Sequence, residues 1–154
     1  MKLISSFSKR EIKMLENEGY RFMGAAFEVC NELGYGMAEE IYQQSLEIEL
    51  SLRGIPFQSK RELNDYYKEQ VLDTRYKPDL IVFEAIVVEL KAVSDLAQDH
   101  EAQLFNYMRI ARKPIGYLLN FGKRGELEWK RFIVSDLHER QNSRQTVHRP
   151  LSFH

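Results

Sequence analysis

Residues 76–91 have the sequence YKPDLIVFEAIVVELK, and this stretch decides the fold. Two short apolar runs flank Glu84–Ala85, a pattern typical of two strands joined by a tight turn. Residues two apart in a strand share a face, so Glu89 and Lys91 project from the same side of an otherwise apolar strand. Asp79 begins the preceding strand, and we expect its side chain to reach the same place.

These charged residues indicate a site rather than an ordinary core. A buried charge costs several kcal/mol unless it is paired or holds a metal ion. The carboxylates of Asp79 and Glu89, with the backbone carbonyl of Leu90, make an oxygen site suited to Mg²⁺ or Mn²⁺. Lys91 beside them can orient a water molecule. The alternatives are a structural Glu89–Lys91 ion pair with Asp79 as a turn residue after Pro78, or a buried polar network without chemistry.

The rest of the chain predicts a mixed α+β fold. Helical periodicity covers residues 9–33, 38–53 and 97–112, with Ser8 and Glu11 as a capping box at the first helix. Strand patterns cover residues 57–67, 70–76, 80–83, 86–93, 115–121 and 127–134. With the second and third strands counted as one bent strand, the order is α-α-β-β-β-α-β-β. A meander followed by a crossover helix predicts a mixed sheet flanked by helices.

Length and composition set further limits. The 154 residues suit one domain, expected over residues 1–134, with a polar tail at 135–154. The net charge of −1 excludes a protein coated in basic residues for tight non-specific nucleic-acid binding. The lone Cys30 excludes an internal disulfide and a four-cysteine zinc site. Without a leader or a run of about 20 apolar residues, we expect a soluble, cytoplasmic protein with no membrane contact.

Two more pairs of residues lie at helical spacing. Gln103 and Tyr107 are four apart and share a face of the third helix. Gly36, Glu39 and Tyr42 form the pattern GxxExxY at the start of the second helix. Taken singly, each pair has an ordinary explanation, namely a polar edge beside a core aromatic, or an acid at a helix N-terminus.

Together these motifs resemble the protein family named for GxxExxY, a branch of the PD-(D/E)XK nuclease superfamily. The likeness runs from about residue 23 to residue 134. Its blocks include GAAFEV (24–29), GMAEEIY (36–42), DLIV (79–82), IVVELKAV (86–93), HEAQLFNY (100–107) and LNFG (119–122).

The resemblance implies a restriction-endonuclease-like core of the order α-β-β-β-α-β, which agrees with the order found above. It implies that Asp79 and Glu89 bind the metal ion and that Lys91 is the catalytic lysine. Glu39 corresponds to an extra acid near the metal, acting directly or through water.

The resemblance also assigns the third helix and marks one departure. Gln103 and Tyr107 correspond to a Gln-x-x-x-Tyr motif that supports the site and contacts the nucleic acid. Cys30 stands where a histidine is expected in many relatives. The histidines at 138, 148 and 154 are too loosely spaced for a metal motif, and His100 suits a helix-end role.

The sequence therefore predicts a metal-dependent nuclease that acts on DNA. Phosphate contacts are expected from five basic residues, whose alternative role is a solvated surface: Arg109, Arg112, Lys113, Lys123 and Arg124. The low net charge suggests that a protein partner or a special DNA end supplies specificity, and a homodimer is the commonest oligomer. The alternative function is a catalytically silent nucleic-acid-binding or protein-interaction module on the same fold.

Overall fold

The computed structural model describes residues 8–133, which contain three helices and seven strands. The predicted tail and its three histidines lie outside the described residues. The helices are α1 (Lys9–Leu33), α2 (Glu39–Leu52) and α3 (Gln98–Ala111). The strands are β1 (Phe57–Ser59), β2 (Leu63–Tyr67), β3 (Gln70–Tyr76), β4 (Leu80–Val82), β5 (Ile86–Lys91), β6 (Ile115–Asn120) and β7 (Glu128–Ile133).

Five strands form one sheet in the order β1-β4-β5-β6-β7. Strands β5 and β6 are parallel, and the other neighbours are antiparallel, so the sheet is mixed as predicted. Helix α3 makes the crossover between the two parallel strands. The predicted α+β class, with a mixed sheet flanked by helices, is confirmed.

The prediction of one strand over residues 57–67 is wrong. The strand is interrupted at residues 60–62, where Lys60 has a φ of 49°. A separate hairpin of β2 and β3 follows. The bent strand expected through residues 77–79 is also wrong, because β3 and β4 belong to different sheets. Without this inserted hairpin, the chain order is the predicted α-α-β-β-β-α-β-β.

The ends of the first two helices fix the approach to the sheet. The predicted capping box at α1 is confirmed, since Ser8 N donates to Glu11 Oε2 and Glu11 N donates to Ser8 Oγ. Tyr42 is fully buried, stacks on Phe121 and donates its hydroxyl to Gly34 O at 2.7 Å. The tyrosine of the GxxExxY pattern therefore holds the α1–α2 turn against the sheet.

The main sheet has a hydrophobic cluster on each face. Ile86, Val88 and Leu90 of β5 belong to the larger cluster, with residues of α1 and α2. Val87 belongs to the smaller cluster, beneath α3. Because side chains alternate along a strand, Glu89 lies on the α3 face. Within residues 8–133, no helix combines the length and the apolar character needed to cross a membrane.

Candidate active site

The two acidic residues meet at the junction of β4 and β5. Leu80 pairs with Val88, so Asp79, one residue earlier, lies beside Glu89. Asp79 N donates to Glu89 Oε1 at 2.9 Å, and Leu90 N donates to Asp79 Oδ2 at 2.7 Å. Each carboxylate is thus held by a backbone amide of the opposite strand.

Burial disfavours the ionised form of both carboxyl groups. Glu89 is only 3 % exposed, and burial, followed by the charge of Asp79, raises its pKa to about 9. Burial also raises the pKa of Asp79, although the Leu90 amide and Lys91 oppose the shift. Without a cation, the pair therefore holds a proton on Glu89 at neutral pH.

A hydrogen-bonded chain connects the lysine to α3. Lys91 Nζ donates to Gln103 Oε1 at 2.9 Å, and Gln103 Nε2 donates to Tyr107 Oη at 3.2 Å. The Tyr76 ring meets the Tyr107 ring edge-on at 5.9 Å. Burial raises the pKa of Tyr107, with a further contribution from the charge of Glu89. The structure thus brings the lysine and the predicted helix pair into one contact network.

The remaining predicted oxygen donors face the same place. Lys91 O accepts from Phe121 N on the β6 side. Since successive carbonyls of a strand point to opposite edges, Leu90 O points toward Asp79. Glu39 is exposed at the start of α2, and partial burial together with the charge of Asp79 raises its pKa.

The donor chemistry suits a hard divalent cation. Among the residues that the structure describes, no three His, Cys, Asp or Glu side chains are arranged as a metal site. Two carboxylates and one carbonyl nevertheless form an all-oxygen set, and burial, which raises the pKa of both carboxyl groups, disfavours their charged forms unless a cation is bound. Such a set fits a hard divalent cation such as Mg²⁺ or Mn²⁺.

A family model matches residues 16–132 and describes the PD-(D/E)XK nuclease superfamily. This chain belongs to that superfamily. Nucleases of the superfamily generally use divalent metal ions. The narrower assignment to the GxxExxY branch remains a prediction from the motifs.

Two solved structures resemble this superfamily member. The crystal structure of SSO0001 matches with a TM-score of 0.52 and 15 % sequence identity. The match covers 75 % of this chain and 61 % of SSO0001, so this chain spans about three fifths of the length of SSO0001. This likeness supports the fold alone. An alkaline exonuclease from Laribacter hongkongensis matches with a TM-score of 0.43 and 12 % identity, over 95 % and 87 % of the two chains. No curated protein matches the sequence.

Two residues beside the candidate site were missed by the sequence analysis. Gln43 is 2 % exposed, and its amide donates to Asp79 O at 2.9 Å and to Ser59 Oγ at 3.4 Å. Lys60 N donates to Asp79 O at 3.2 Å, and Lys60 Nζ pairs with Glu40 at 2.9 Å. The sequence signal for Gln43 was a polar residue at a position of α2 that helical periodicity places in the core. Its hydrogen-bond partners could not be identified because they lie far away in the sequence.

The structure separates the five predicted phosphate contacts into two groups. Arg109, Arg112 and Lys113 lie at the end of α3, near the start of β6, where Ile115 pairs with Ile86. This is the end of β5 opposite to Lys91. Arg109 also pairs with a hairpin carboxylate, that of residue 65, at 3.2 Å.

The second group lies nearer to the site. Lys123 and Arg124 follow β6 at the end where Asn120 pairs with Lys91. Lys123 Nζ is 3.7 Å from Glu128 Oε2, and Arg124 is exposed. These two residues therefore lie at the same end of the sheet as the candidate site.

Cys30 and His100 have local roles in the structure. Cys30 is half-buried on α1 against the larger core cluster, and burial raises the pKa of its thiol. His100 Nδ1 accepts from Ala97 N at 3.0 Å at the start of α3. This contact agrees with the helix-end role expected for His100.

Proposed function

We propose that this protein is a metal-dependent nuclease that hydrolyses phosphodiester bonds in DNA. The observation that supports the proposal is the meeting of Asp79, Glu89, Lys91 and Gln103 at one end of β5 in a chain of a nuclease superfamily. A silent binding module on this fold has no need of that set.

The proposed ligands of Mg²⁺ or Mn²⁺ are Asp79, Glu89 and the Leu90 carbonyl, with Glu39 acting through water. When bound, the ion supplies positive charge that polarises the scissile phosphate and lowers the pKa of a water ligand. Asp79 and Glu89 would hold the ion as carboxylates, so the pair would release the proton that it otherwise retains.

The protein's own contribution centres on Lys91. Its ammonium group is anchored by Gln103, which is itself held by Tyr107. A lysine fixed in this way donates to the attacking water and balances the negative charge that develops on the phosphate. Gln103 and Tyr107 act as positioning residues in this account, because they restrict where the ammonium group lies.

The substrate and its setting are also part of the proposal. Lys123 and Arg124 contact DNA phosphates near the site, and Arg109, Arg112 and Lys113 contact the backbone farther away. The net charge of −1 gives modest intrinsic affinity, so we propose a protein partner or a homodimer as the source of specificity. The lone cysteine suits the reducing cytoplasm.

A cleavage assay with a matched pair of variants tests the proposal. Single-stranded DNA, linear and supercoiled duplexes and RNA are incubated with Mg²⁺ or Mn²⁺. Lys91→Ala should reduce cleavage at least 100-fold, on the order expected for an electrostatic group in a transition state. Lys13→Ala, an exposed lysine on α1, should cleave like the wild type.

A second measurement separates the nuclease from the silent module. Isothermal titration with Mn²⁺ should show binding to the wild type and a clear loss in Asp79→Asn. Equal cleavage by Lys91→Ala and Lys13→Ala, or equal Mn²⁺ binding by the wild type and Asp79→Asn, would contradict the proposal.

A further inference from the structure

A large cavity lies on the opposite side of the sheet from the nuclease site. It has a volume of about 790 Å³ and lies between α1 and strands β6 and β7. Tyr117 of β6 belongs to the hydrophobic cluster on the α1 side, so the cavity is on that face. We call it the aromatic pocket, defined by Tyr20, Phe27, Arg53, Tyr117, Trp129 and Arg131.

Three of the four aromatic rings that line this cavity are exposed, and only Tyr117 is buried. Trp129 stacks on Tyr117 with ring centroids 6.2 Å apart and an interplanar angle of 21°. Phe27 meets Trp129 edge-on at 6.4 Å. Trp129 and Phe27 are each 42 % exposed, and Tyr20 is 83 % exposed. Phe27 and Trp129 are thus ordered by ring contacts and still open to solvent, so they form a platform for another planar group, and Tyr20 lies exposed beside them.

Two glycines in α1 shape the wall of the pocket. A Cβ at Gly19 would overlap the Tyr117 hydroxyl, and a Cβ at Gly24 would lie 3.0 Å from Arg53 Nη1. Glycine weakens a helix interior relative to alanine. Gly19 and Gly24 therefore lower the stability of α1, but they leave space for the Tyr117 hydroxyl and for Arg53 of the pocket.

The charge of the lining is positive, although that of the whole chain is negative. Three arginines and one glutamate line the cavity, whereas the chain has a net charge of −1. Arg131 lies beside the Tyr117 hydroxyl, and Arg53 pairs with Glu49 at the rim. An anionic ligand is favoured here by charge complementarity.

We propose that the aromatic pocket binds unpaired nucleotides of single-stranded nucleic acid. Bases stack on Trp129 and Tyr20, and the backbone phosphates pair with Arg53 and Arg131. In a duplex the faces of the bases are covered by their neighbours, so the pocket accepts unpaired bases only. Its volume lies in the range of about 300–1,000 Å³ that is usual for ligand pockets.

This site goes beyond the proposed nuclease and is independent of it. Asp79, Glu89 and Lys91 lie on the α3 face, Glu39 lies at the start of α2, and none of these residues lines the pocket. The pocket is therefore a second nucleic-acid-binding site, on the opposite face of the sheet.

The only tryptophan of the chain makes the test direct. Because Trp129 is that residue, tryptophan fluorescence, excited at a wavelength where the eight tyrosines do not absorb, reports on the pocket alone. Full-length protein carrying Lys91→Ala is titrated in EDTA with the oligonucleotide dT6, so neither cleavage nor a metal ion contributes. Saturable quenching is expected, and it should weaken as salt is raised. Free tryptophan amide corrects for absorption by the oligonucleotide.

Matched variants assign the quenching to the pocket. Tyr20→Ala should weaken dT6 binding about tenfold, since stacking on one ring is worth about 1–3 kcal/mol per base. Arg131→Gln should weaken binding and make the salt slope shallower by about 0.7. Tyr35→Ala and Arg10→Gln, exposed residues outside the pocket, should bind dT6 unchanged. Tyr20 is so exposed that its loss leaves the core intact.

Several outcomes would overturn the proposal. These are an absence of quenching, quenching by duplex DNA as strong as that by dT6, or an equal loss in Tyr20→Ala and Tyr35→Ala. Quenching by a Glu-rich peptide but not by dT6 would assign the pocket to a protein partner instead. Titration with rU6 shows whether the pocket distinguishes RNA from DNA. None of these results depends on whether the protein cleaves DNA.

Discussion

The pair of carboxylates at Asp79 and Glu89 predicts an unusual dependence of stability on pH. Glu89 has a pKa of about 9 in the folded protein against an ordinary value of 4.5, so the folded state binds its proton more tightly than the unfolded state. Its contribution to stability is present below pH 4.5 and is lost as the pH rises to about 9. The free energy of unfolding should fall by up to about 1.4 kcal/mol per pH unit in this window.

Urea unfolding in EDTA at pH 5 to 9 measures this slope. Glu89→Gln keeps the side chain neutral at every pH, so its stability should vary less with pH than that of the wild type. Glu84→Gln, on the exposed β4–β5 turn, is the control and should keep the wild-type slope. Parallel curves for the wild type and Glu89→Gln would show that Glu89 is already ionised in the folded protein.

At the scale of elements, a hydrogen bond from α2 holds the residue that precedes β4. The buried Gln43 amide connects α2 to Asp79 O and to Ser59 of β1. Gln43→Leu leaves that carbonyl with Lys60 N as its remaining donor, so the loss of one hydrogen bond should destabilise the fold by about 0.5–1.5 kcal/mol. The shift of Asp79 should lower cleavage by about 10- to 100-fold, as for other groups that support metal ligands.

The neighbouring glutamine is a matched control for this effect. Gln44 is exposed and donates only to Glu40, at 3.4 Å. Gln44→Leu should leave urea unfolding and cleavage within error of the wild type. If Gln43→Leu and Gln44→Leu were equally active and equally stable, Gln43 would have no part in holding Asp79.

The sequence predicted elements where the signal is local. Two short apolar runs identified β4 and β5, the two-residue strand period placed Glu89 and Lys91 on one face, and helical spacing placed Gln103 beside Tyr107. The break at residues 60–62 escaped detection because it contains no glycine or proline, although Lys60 takes a left-handed conformation. Gln43 was missed because its acceptor lies 36 residues away, and such contacts leave no local periodicity.

At the scale of the whole molecule, the sheet separates the two sites that we propose. The α3 face carries the proposed nuclease site, and the α1 face carries the aromatic pocket. The β2–β3 hairpin belongs to neither core cluster, since both clusters are built from the helices, the main sheet and the segments that join them. Its links to α3 are the Tyr76–Tyr107 contact and the Asp65–Arg109 ion pair.

This arrangement predicts that the hairpin can be removed without loss of the fold. Ser59 pairs with Leu80, and Lys60 N already donates to Asp79 O, so an Asn-Gly turn in place of residues 61–78 should close β1 onto β4. Loss of one aromatic pair and one surface ion pair should cost about 1–2 kcal/mol.

Urea unfolding monitored by circular dichroism measures this change. The shortened protein should unfold cooperatively, yet its cleavage should fall because Tyr107 no longer packs against Tyr76 and holds Gln103 less firmly. Tyr76→Ala in the intact chain should reproduce most of that loss of activity, since it removes the same ring contact. A broad transition with exposed apolar surface would instead show that the hairpin is part of the folding unit, and that the two clusters of the main sheet do not suffice.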